Sequence, residues 1–533
     1  MKLFVNNRVM RVFLAALLLY FSGIEILFAK DSVIMVYCDK KIGEVNNRVF
    51  GNNQLAYDPA TYENFNGEYY GYSDYGAGIW DPKRKRSVKE VVNLAKEAGM
   101  SVMRFPGGCG AHHYDWRSAI GKDRAHFLYG IDEFLRTCEE INAEAIITVS
   151  YFTGNEQDAA DLTEYLLSPC DGANPNGGID WAKKRAENGH PLPYSNVKYF
   201  EIGNEVYHGD HRKIKEVSPD EYGNRYLKYY ESMKTVEPGI EIGVVLCPIY
   251  WKNWNKRVLN IIKDKVDFGI IHTYPSPEEG DLESMKPKQI FEISLGVPIF
   301  KDEAEFQNIL KLLKERSGKD VSLVVTEYNG GFTQEKPVPY RHCLGTALIN
   351  AELLRIFMKP EHKILLATYW QFCNSYWGMV KSKEDYVTHD YRYPVHYIKR
   401  PNYYAFELYN KHFGSELIGA DVECDSYRVK GYAIPYLSVN ASTNADKNKV
   451  YLIVINKNLG NSVTATIDLK DFYPSAKGSA FVLNGPDIDS TNETNADNVT
   501  LRSKEFKIKD NPFEFTFEPH SLTAIEITRY RDE

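Results

Sequence analysis

Eight short runs rich in Val, Ile, Leu and aromatic residues, spaced by amphipathic stretches and followed by alternating apolar and polar residues, predict an α/β chain. The architecture they imply is a (β/α)8 barrel with a C-terminal β-sandwich. Length agrees, because 533 residues exceed one ordinary domain and suit a barrel with a smaller companion. The runs are "RVFGNN", "SVMRFPGG", "EAIITVSY", "VKYFEIGNE", "EIGVVLCP", "DFGIIHTYP", "VSLVVTEYN" and "ILLATYWQF". Each reads as a strand buried on both faces. Between them, "SVKEVVNLAKEAG", "YGIDEFLRTCEEIN", "SPDEYGNRYLKYYESMK" and "RHCLGTALINAELLRIFM" carry helical spacing, the third opening with Ser218 and Pro219 as N-cap and first-turn residues.

After residue 412 the period changes to two. "RVKGYAIPYLSVNAS", "NKVYLIVINKN", "SVTATIDLKDF", "SAFVLNG" and "FEFTFEPHSLTAIEIT" read as sandwich strands, and "NGPDIDSTNETNADN" as a loop. The early segment "SVIMVYCDKKIG" has the same character and is expected to join that sandwich. The organisation that follows is a leader at 1–30, an N-terminal strand segment at 31–45, a barrel at 46–412 and a sandwich at 413–533.

The leader assignment rests on Lys2, Arg8 and Arg11 before "VFLAALLLYFSG", with Leu27 and Ala29 at a peptidase-like site. A secreted, periplasmic or cell-surface protein is the expectation, with no integral membrane domain beyond that segment. A net charge of -8 argues against nucleic-acid partners, since a phosphate backbone demands a basic surface. With 38 Tyr and 13% aromatic residues, the composition points to rings that stack on sugars. The eight cysteines are scattered without metal or disulfide-framework spacing. Cys38 and Cys424 would pair only if the two ends of the chain meet.

In barrels of this kind chemistry gathers at the C-terminal strand ends. The fourth run ends at Glu205 and the seventh at Glu327, so two carboxylates face one pocket. Glycoside cleavage needs that arrangement: one carboxyl protonates the leaving oxygen and the other acts as nucleophile or base. The proton donor needs a raised pKa, which should fall once the nucleophile is esterified and its charge is gone. Either Glu alone would read as an exposed strand-end residue; the pair, three barrel units apart, favours catalysis.

"EIGNE" with "VTEYN", together with "MRFPGGCGAHHYDW", "AENGHPLPYSNVKYFEIGNE", "RPNYYAFELYNKHFG" and "VLNGPDIDSTNETNADNV", resembles the α-L-arabinofuranosidases of glycoside hydrolase family 51. The resemblance implies a retaining double displacement with Glu205 as acid/base and Glu327 as nucleophile. It implies that Asn204 binds the sugar 2-hydroxyl, that Tyr274 orients the nucleophile and that Gln371 binds a sugar hydroxyl. It also suggests a homo-oligomer, and implies no metal and no cofactor.

The other residues expected to line the sugar pocket are Gln54, Cys109, Arg104, His272 and Trp370, with Arg104 read chiefly as a buried ion-pair residue steadying the carboxylates. Trp116, Trp370 and Trp377 form a candidate stacking platform. His112, His113 and His272 match no metal-ligand spacing, and His208 and His211 read as loop-lining. "DPKRKRS" and "PSPEEGD" read as solvated surface. Two departures stand out: the family's "PGGN" is "PGGC" here, at Cys109, and its arabinose-gripping Glu near the first strand is replaced by Gln54. Both fall where the sugar is recognised, so a related β-glycosidase, an endo-glucanase, or a non-catalytic carbohydrate-binding protein stay open beside the arabinofuranosidase reading.

Overall fold

β-Branched and aromatic residues crowd the eight runs, and such side chains favour a pleated, packed surface. The computed structural model describes residues 31–57, 78–81, 84–122, 124, 126–209, 214–247, 253–277, 282, 284–331, 340–374, 377–381 and 397–530. The strands Gly51–Asn53, Val102–Phe105, Glu144–Val149, Val197–Ile202, Glu241–Val245, Phe268–Thr273, Ser322–Tyr328 and Ile364–Tyr369 close into a parallel barrel whose neighbours follow chain order. The first strand is shorter than "RVFGNN", because Asn47–Val49 winds into a single 3-10 turn capped by the side chain of Asn46. Among the outer helices, Pro219–Val236 starts as its sequence dictates: Ser218 Oγ accepts from the Glu221 N–H at 3.2 Å, and Pro219 opens the first turn.

Val102, Ile146, Tyr199, Phe268, Ile270, Val324 and Leu366 fill the barrel interior. All come from the first halves of their strands. They plug that end with apolar volume and leave the C-terminal end to polar side chains.

The second layer of the molecule is one continuous sheet of nine strands. Ser32–Glu44 sits inside it, antiparallel to Glu416–Glu423 and parallel to Val463–Lys470. The two edge strands are Thr500–Lys507 and Phe513–Phe517, yet Phe506 of one meets Phe515 of the other at 5.0 Å between ring centroids. The sheet therefore folds over on itself, and Val450, Leu452, Ile467, Phe517 and Ile525 from its two halves share one core. None of the eight cysteines, all of them among the described residues, is in a disulfide. The chain ends do meet, but Val33 pairs with Glu423 and Tyr37 with Gly419, so Cys38 and Cys424 lie toward opposite ends of their ladder. At six residues along a strand that is about 20 Å, far beyond disulfide reach.

Two polar contacts fasten this sheet to the barrel. Glu352 on helix Leu344–Phe357 is fully buried, accepts from Arg355 Nε at 2.8 Å and Ser438 Oγ at 3.2 Å, and lies 3.5 Å from Lys457 Nζ. The loop after strand Pro474–Asn484 reaches back the other way. Its Glu493 takes Arg400 Nε at 2.7 Å and Lys381 Nζ at 3.2 Å, while Leu344 and Gly345 donate their N–H groups to the Ser490 and Ile488 carbonyls.

No helix among the described residues is long and apolar enough to cross a membrane. The leader at 1–30, His211 and parts of "DPKRKRS" and "PSPEEGD" lie outside the described residues.

Candidate active site

The fourth barrel strand stops at Ile202, and the chain then turns through Gly203 at φ 79° and Glu205 at φ 37°. A side chain at Gly203 would strike Val206 and Tyr151, so that position demands glycine. Glu205 has no such exemption, and a left-handed non-glycine residue costs on the order of 1–2 kcal/mol. That backbone aims its carboxylate over the barrel mouth. Glu327 comes from within the seventh strand, Ser322–Tyr328, and is almost fully buried.

His272, from the sixth strand, stands between them. Its Nδ1 lies 2.7 Å from Glu205 Oε1 and 3.6 Å from Glu327 Oε2, and its Nε2 lies 2.9 Å from Thr326 Oγ1. One oxygen of Glu205, one nitrogen of His272 and one oxygen of Glu327 all fall within 4.8 Å of one another. A hydrogen bond joins Glu205 to His272, and Glu327 stands 3.6 Å from the same imidazole nitrogen. Tyr274 donates its hydroxyl to Glu327 Oε2 at 2.6 Å, and Arg104 donates Nη1 to Glu327 Oε1 at 2.8 Å.

Arg104 is completely buried and anchors several elements at once. Its Nε donates to Glu201 at 2.6 Å, its Nη2 to Asn204 Oδ1 at 2.7 Å, and its Nη1 also to Asn53 Oδ1 at 2.9 Å. The same oxygen of Glu201, Oε1, also accepts from Thr148 Oγ1 at 2.7 Å. Because every one of these bonds is charge-assisted or fully enclosed, the guanidinium fixes the Glu327 and Asn204 side chains in one frame.

Burial raises the pKa of Glu205, but the charge of His272 and the bonds from His208 and His272 outweigh it and hold the carboxyl well below its ordinary range. Burial pulls His272 down, and the charges of Glu327 and Glu205 bring it above the usual imidazole value. Burial, then the Glu327 charge, pushes the Tyr274 hydroxyl far above the phenol range, so it stays a donor.

Of the other expected sugar-lining residues, Asn204 and Gln371 are buried, with the Asn204 Nδ2 and Gln371 Nε2 groups unpartnered among the described residues. Gln54 is fully buried with neither Oε1 nor Nε2 partnered among the described residues, although its backbone is fixed to Arg104 and Gly107. Buried amides left open in this way are built to be completed by a polar ligand or water. Cys109 is half-buried in the 3-10 turn Gly108–His112. The Trp370 ring covers Gly107 and Gly108, where any Cβ would collide with it. Trp116 does not join a platform: it is buried against Trp181 at 4.8 Å and Tyr165 at 5.6 Å, because large aromatics in a (β/α) shell serve the core first. Trp377 carries the Arg341 guanidinium 5.2 Å over its ring.

Sequence reasoning passed over Glu201, Asn53, Thr326 and Tyr207, and read His208 only as loop-lining. His208 lines no mere loop, since its Nε2 lies 2.6 Å from Glu205 Oε2. A charge inside the apolar run "YFEIG" was the available signal for Glu201, which had to be paired. Nothing periodic marks His208.

Residues 95–286 match the family described as alpha-L-arabinofuranosidase 1 domain, and residues 327–521 match the alpha-L-arabinofuranosidase C-terminal domain. The chain belongs to the α-L-arabinofuranosidase-like glycoside hydrolase family 51. It is a glycoside hydrolase. This family member is 24% identical to the intracellular exo-alpha-(1->5)-L-arabinofuranosidase 1 of Bacillus subtilis strain 168, over 94% of this chain and 99% of that protein. It is 27% identical to the intracellular exo-alpha-(1->5)-L-arabinofuranosidase of Acetivibrio thermocellus, where the match spans 56% of this chain and 58% of the relative. The alpha-L-arabinofuranosidase of Thermotoga maritima, solved as an arabinose complex, shares the fold at a TM-score of 0.75 and 23% identity, over 93% of this chain and 100% of that one.

The expected secreted, periplasmic or cell-surface placement is corrected by the same comparisons. Relatives from four organisms, Acetivibrio thermocellus, Bacillus subtilis, Bacteroides ovatus and Halalkalibacterium halodurans, are named intracellular enzymes, which points against a secreted protein. Basic residues before a short apolar run form a compositional pattern that does not by itself fix an address.

Proposed function

We propose that this family 51 hydrolase is a retaining α-L-arabinofuranosidase-like enzyme that removes terminal sugars from a polysaccharide or oligosaccharide. Glu327 is the nucleophile and Glu205 the acid/base. The observation that carries this reading is the approach of the Glu205 and Glu327 oxygens to within 4.8 Å, bridged by His272. Inverting enzymes hold their carboxyls roughly 6.5–9.5 Å apart to admit a water, whereas retaining pairs sit at about 5–5.5 Å.

In the first half-reaction a Glu327 oxygen attacks the anomeric carbon, the glycosidic C–O bond breaks, and the leaving oxygen takes a proton from Glu205. In the second, water attacks the same carbon, gives its proton to Glu205, and Glu327 is released with the anomer retained. Arg104 and Tyr274 keep the nucleophile oriented. Asn204 and Gln371, with their open amide groups, and the Trp370 ring supply contacts to the sugar.

The second reading keeps the mechanism and changes the sugar. It is favoured by Gln54, a neutral amide whose oxygen and nitrogen both lack partners among the described residues, and by Cys109 beside the barrel mouth. Hydrolysis of aryl α-L-arabinofuranoside, β-D-xyloside, β-D-glucoside and β-D-glucuronide by the wild type beside Glu327→Ala separates the two. Turnover of the arabinofuranoside that vanishes in the variant supports the first reading, and turnover of another glycoside alone supports the second. Activity that survives in Glu327→Ala overturns both.

A further inference from the structure

The turn that presents Glu205 also bends the chain back onto it. The His208 N–H donates to the Glu205 carbonyl at 3.0 Å, and its imidazole Nε2 then reaches Glu205 Oε2 at 2.6 Å. The other carboxylate oxygen is taken by His272 Nδ1 at 2.7 Å and by the Tyr207 hydroxyl at 3.2 Å. The two imidazoles are not equivalent. His272 is engaged at both ring nitrogens, Nδ1 with Glu205 and Nε2 with Thr326 Oγ1, and its side chain is only 6% exposed. The His208 side chain is 23% exposed and is the imidazole on Glu205 that solvent reaches more readily.

This arrangement poses a problem for an acid/base residue. A carboxylate whose two oxygens face imidazoles is stabilised in its ionised form, while protonating the leaving group requires the acid form. We propose, resting on the assignment of Glu205 as acid/base, that Glu205 and His208 hold one proton between them and that His208 is the positioning residue that keeps this proton available above the range of a lone carboxyl.

The pair has two forms with the same proton count, carboxylate with imidazolium and carboxylic acid with neutral imidazole, and the 2.6 Å bond lets one proton pass between them. The second form serves glycoside cleavage, where the proton leaves on the departing oxygen. The singly ionised carboxylate serves deglycosylation, where it takes a proton back from water. The first half-reaction takes the proton from the pair and the second returns it, so the full cycle restores the total, and the loss of the shared proton to solvent belongs to the pair rather than to either residue.

The directions of the individual shifts agree with this. Glu205 is held low by its imidazole neighbours, and His208, although burial pulls it down, is raised by the bond to and charge of Glu205. Among the described residues, the other titratable groups around the pair are Tyr207 on the same turn, Cys247 after the fifth strand, His272 and Tyr274 from the sixth, Glu327 from the seventh and Arg104 from the second. Tyr207 and Tyr274 are pushed far above the phenol range, and Arg104 is raised further by Glu201 and Glu327 against the pull of burial. These three therefore do not titrate near neutrality.

The test is the pH dependence of kcat/KM for the wild type and His208→Gln on an aryl glycoside that the wild type cleaves, chosen with a poor leaving group. Gln can still hydrogen-bond Glu205 but carries no titrating proton. In the variant the basic limb should move to lower pH by roughly one to two units, the gap between ordinary imidazole and carboxyl values, with a far smaller change on the acid side. A basic limb that stays in place, or a loss uniform across pH, would overturn the proposal and leave His208 a structural residue.

A second readout needs no substrate. NMR titration of the His208 imidazole should give a pKa above about 6.5 in the wild type and a lower one in Glu205→Gln. An imidazole indifferent to that substitution refutes the shared proton. Absence of turnover on every glycoside with the NMR coupling intact would instead refute the hydrolytic assignment and uphold the pair.

Discussion

Arg104 Nη1, on a fully buried side chain, lies 2.8 Å from Oε1 of the almost fully buried Glu327. Lysine keeps the charge but cannot reproduce a fork that also holds Glu201, Asn53 and Asn204. Arg104→Lys is expected to lower kcat/KM about 100-fold, the usual cost of displacing a catalytic group by an ångström, while the protein still melts cooperatively. Steady-state kinetics beside a thermal melt checks this, and near-wild-type kcat/KM would mean that the fork does not position Glu327.

Removing the Tyr274 hydroxyl takes one donor from Glu327 Oε2. Tyr274→Phe should slow turnover by about 10²-fold, as loss of one preorganised donor does in other sites. Pre-steady-state kinetics with a dinitrophenyl glycoside tells which half-reaction suffers, and an unchanged rate in both would remove Tyr274 from the mechanism.

Gly108 adopts φ 61° under the Trp370 ring. Gly108→Ala adds both a left-handed strain and a methyl into that ring, and should cost about 2–4 kcal/mol in stability together with a raised KM. Urea unfolding and KM for the preferred glycoside test the two effects separately. A variant as stable as the wild type would show that Trp370 moves aside freely.

Glu352 gives the barrel–sheet contact a pH dependence. Burial would raise its pKa, but the charges of Arg355 and Lys457 and the bonds from Arg355 and Ser438 bring it to about 2. A folded pKa below the unfolded one stabilises the protein above the unfolded value near 4.3, and that stability is lost as pH falls toward the folded value. The wild type should therefore lose more Tm between pH 5 and pH 2.5 than Glu352→Gln does; Glu97 and Glu493, also shifted down, act in both proteins alike. Parallel Tm profiles would sink this assignment.

Much of this was legible in the chain itself, for identifiable reasons. A strand buried on both faces is an apolar run, and a polar residue where it ends stands out, so the eight strands and Glu205 with Glu327 could be read directly. Arg104 was recognisable as a buried ion-pair residue because a charge between Met103 and Phe105 must find a partner. Trp116 misled because an aromatic near a barrel mouth has the same one-letter appearance whether it faces sugar or core. Cys38 and Cys424 were drawn together by topology and separated by register, which single-residue spacing does not encode. His208 was hidden because its contact depends on a left-handed Glu205, a backbone choice that has no period.

The strand Ser32–Glu44 lies between Glu416–Glu423 and Val463–Lys470, and Tyr37 donates to Asp421 across nearly four hundred residues of chain. During synthesis this segment leaves the ribosome well before either partner and must wait, unpaired on both edges, until the strands on either side have emerged. Domains generally fold in order from the N-terminus, and pairing at such a sequence separation is slow. The barrel can then assemble before its companion sheet, and the exposed strand is the element a chaperone would have to shield in the interval.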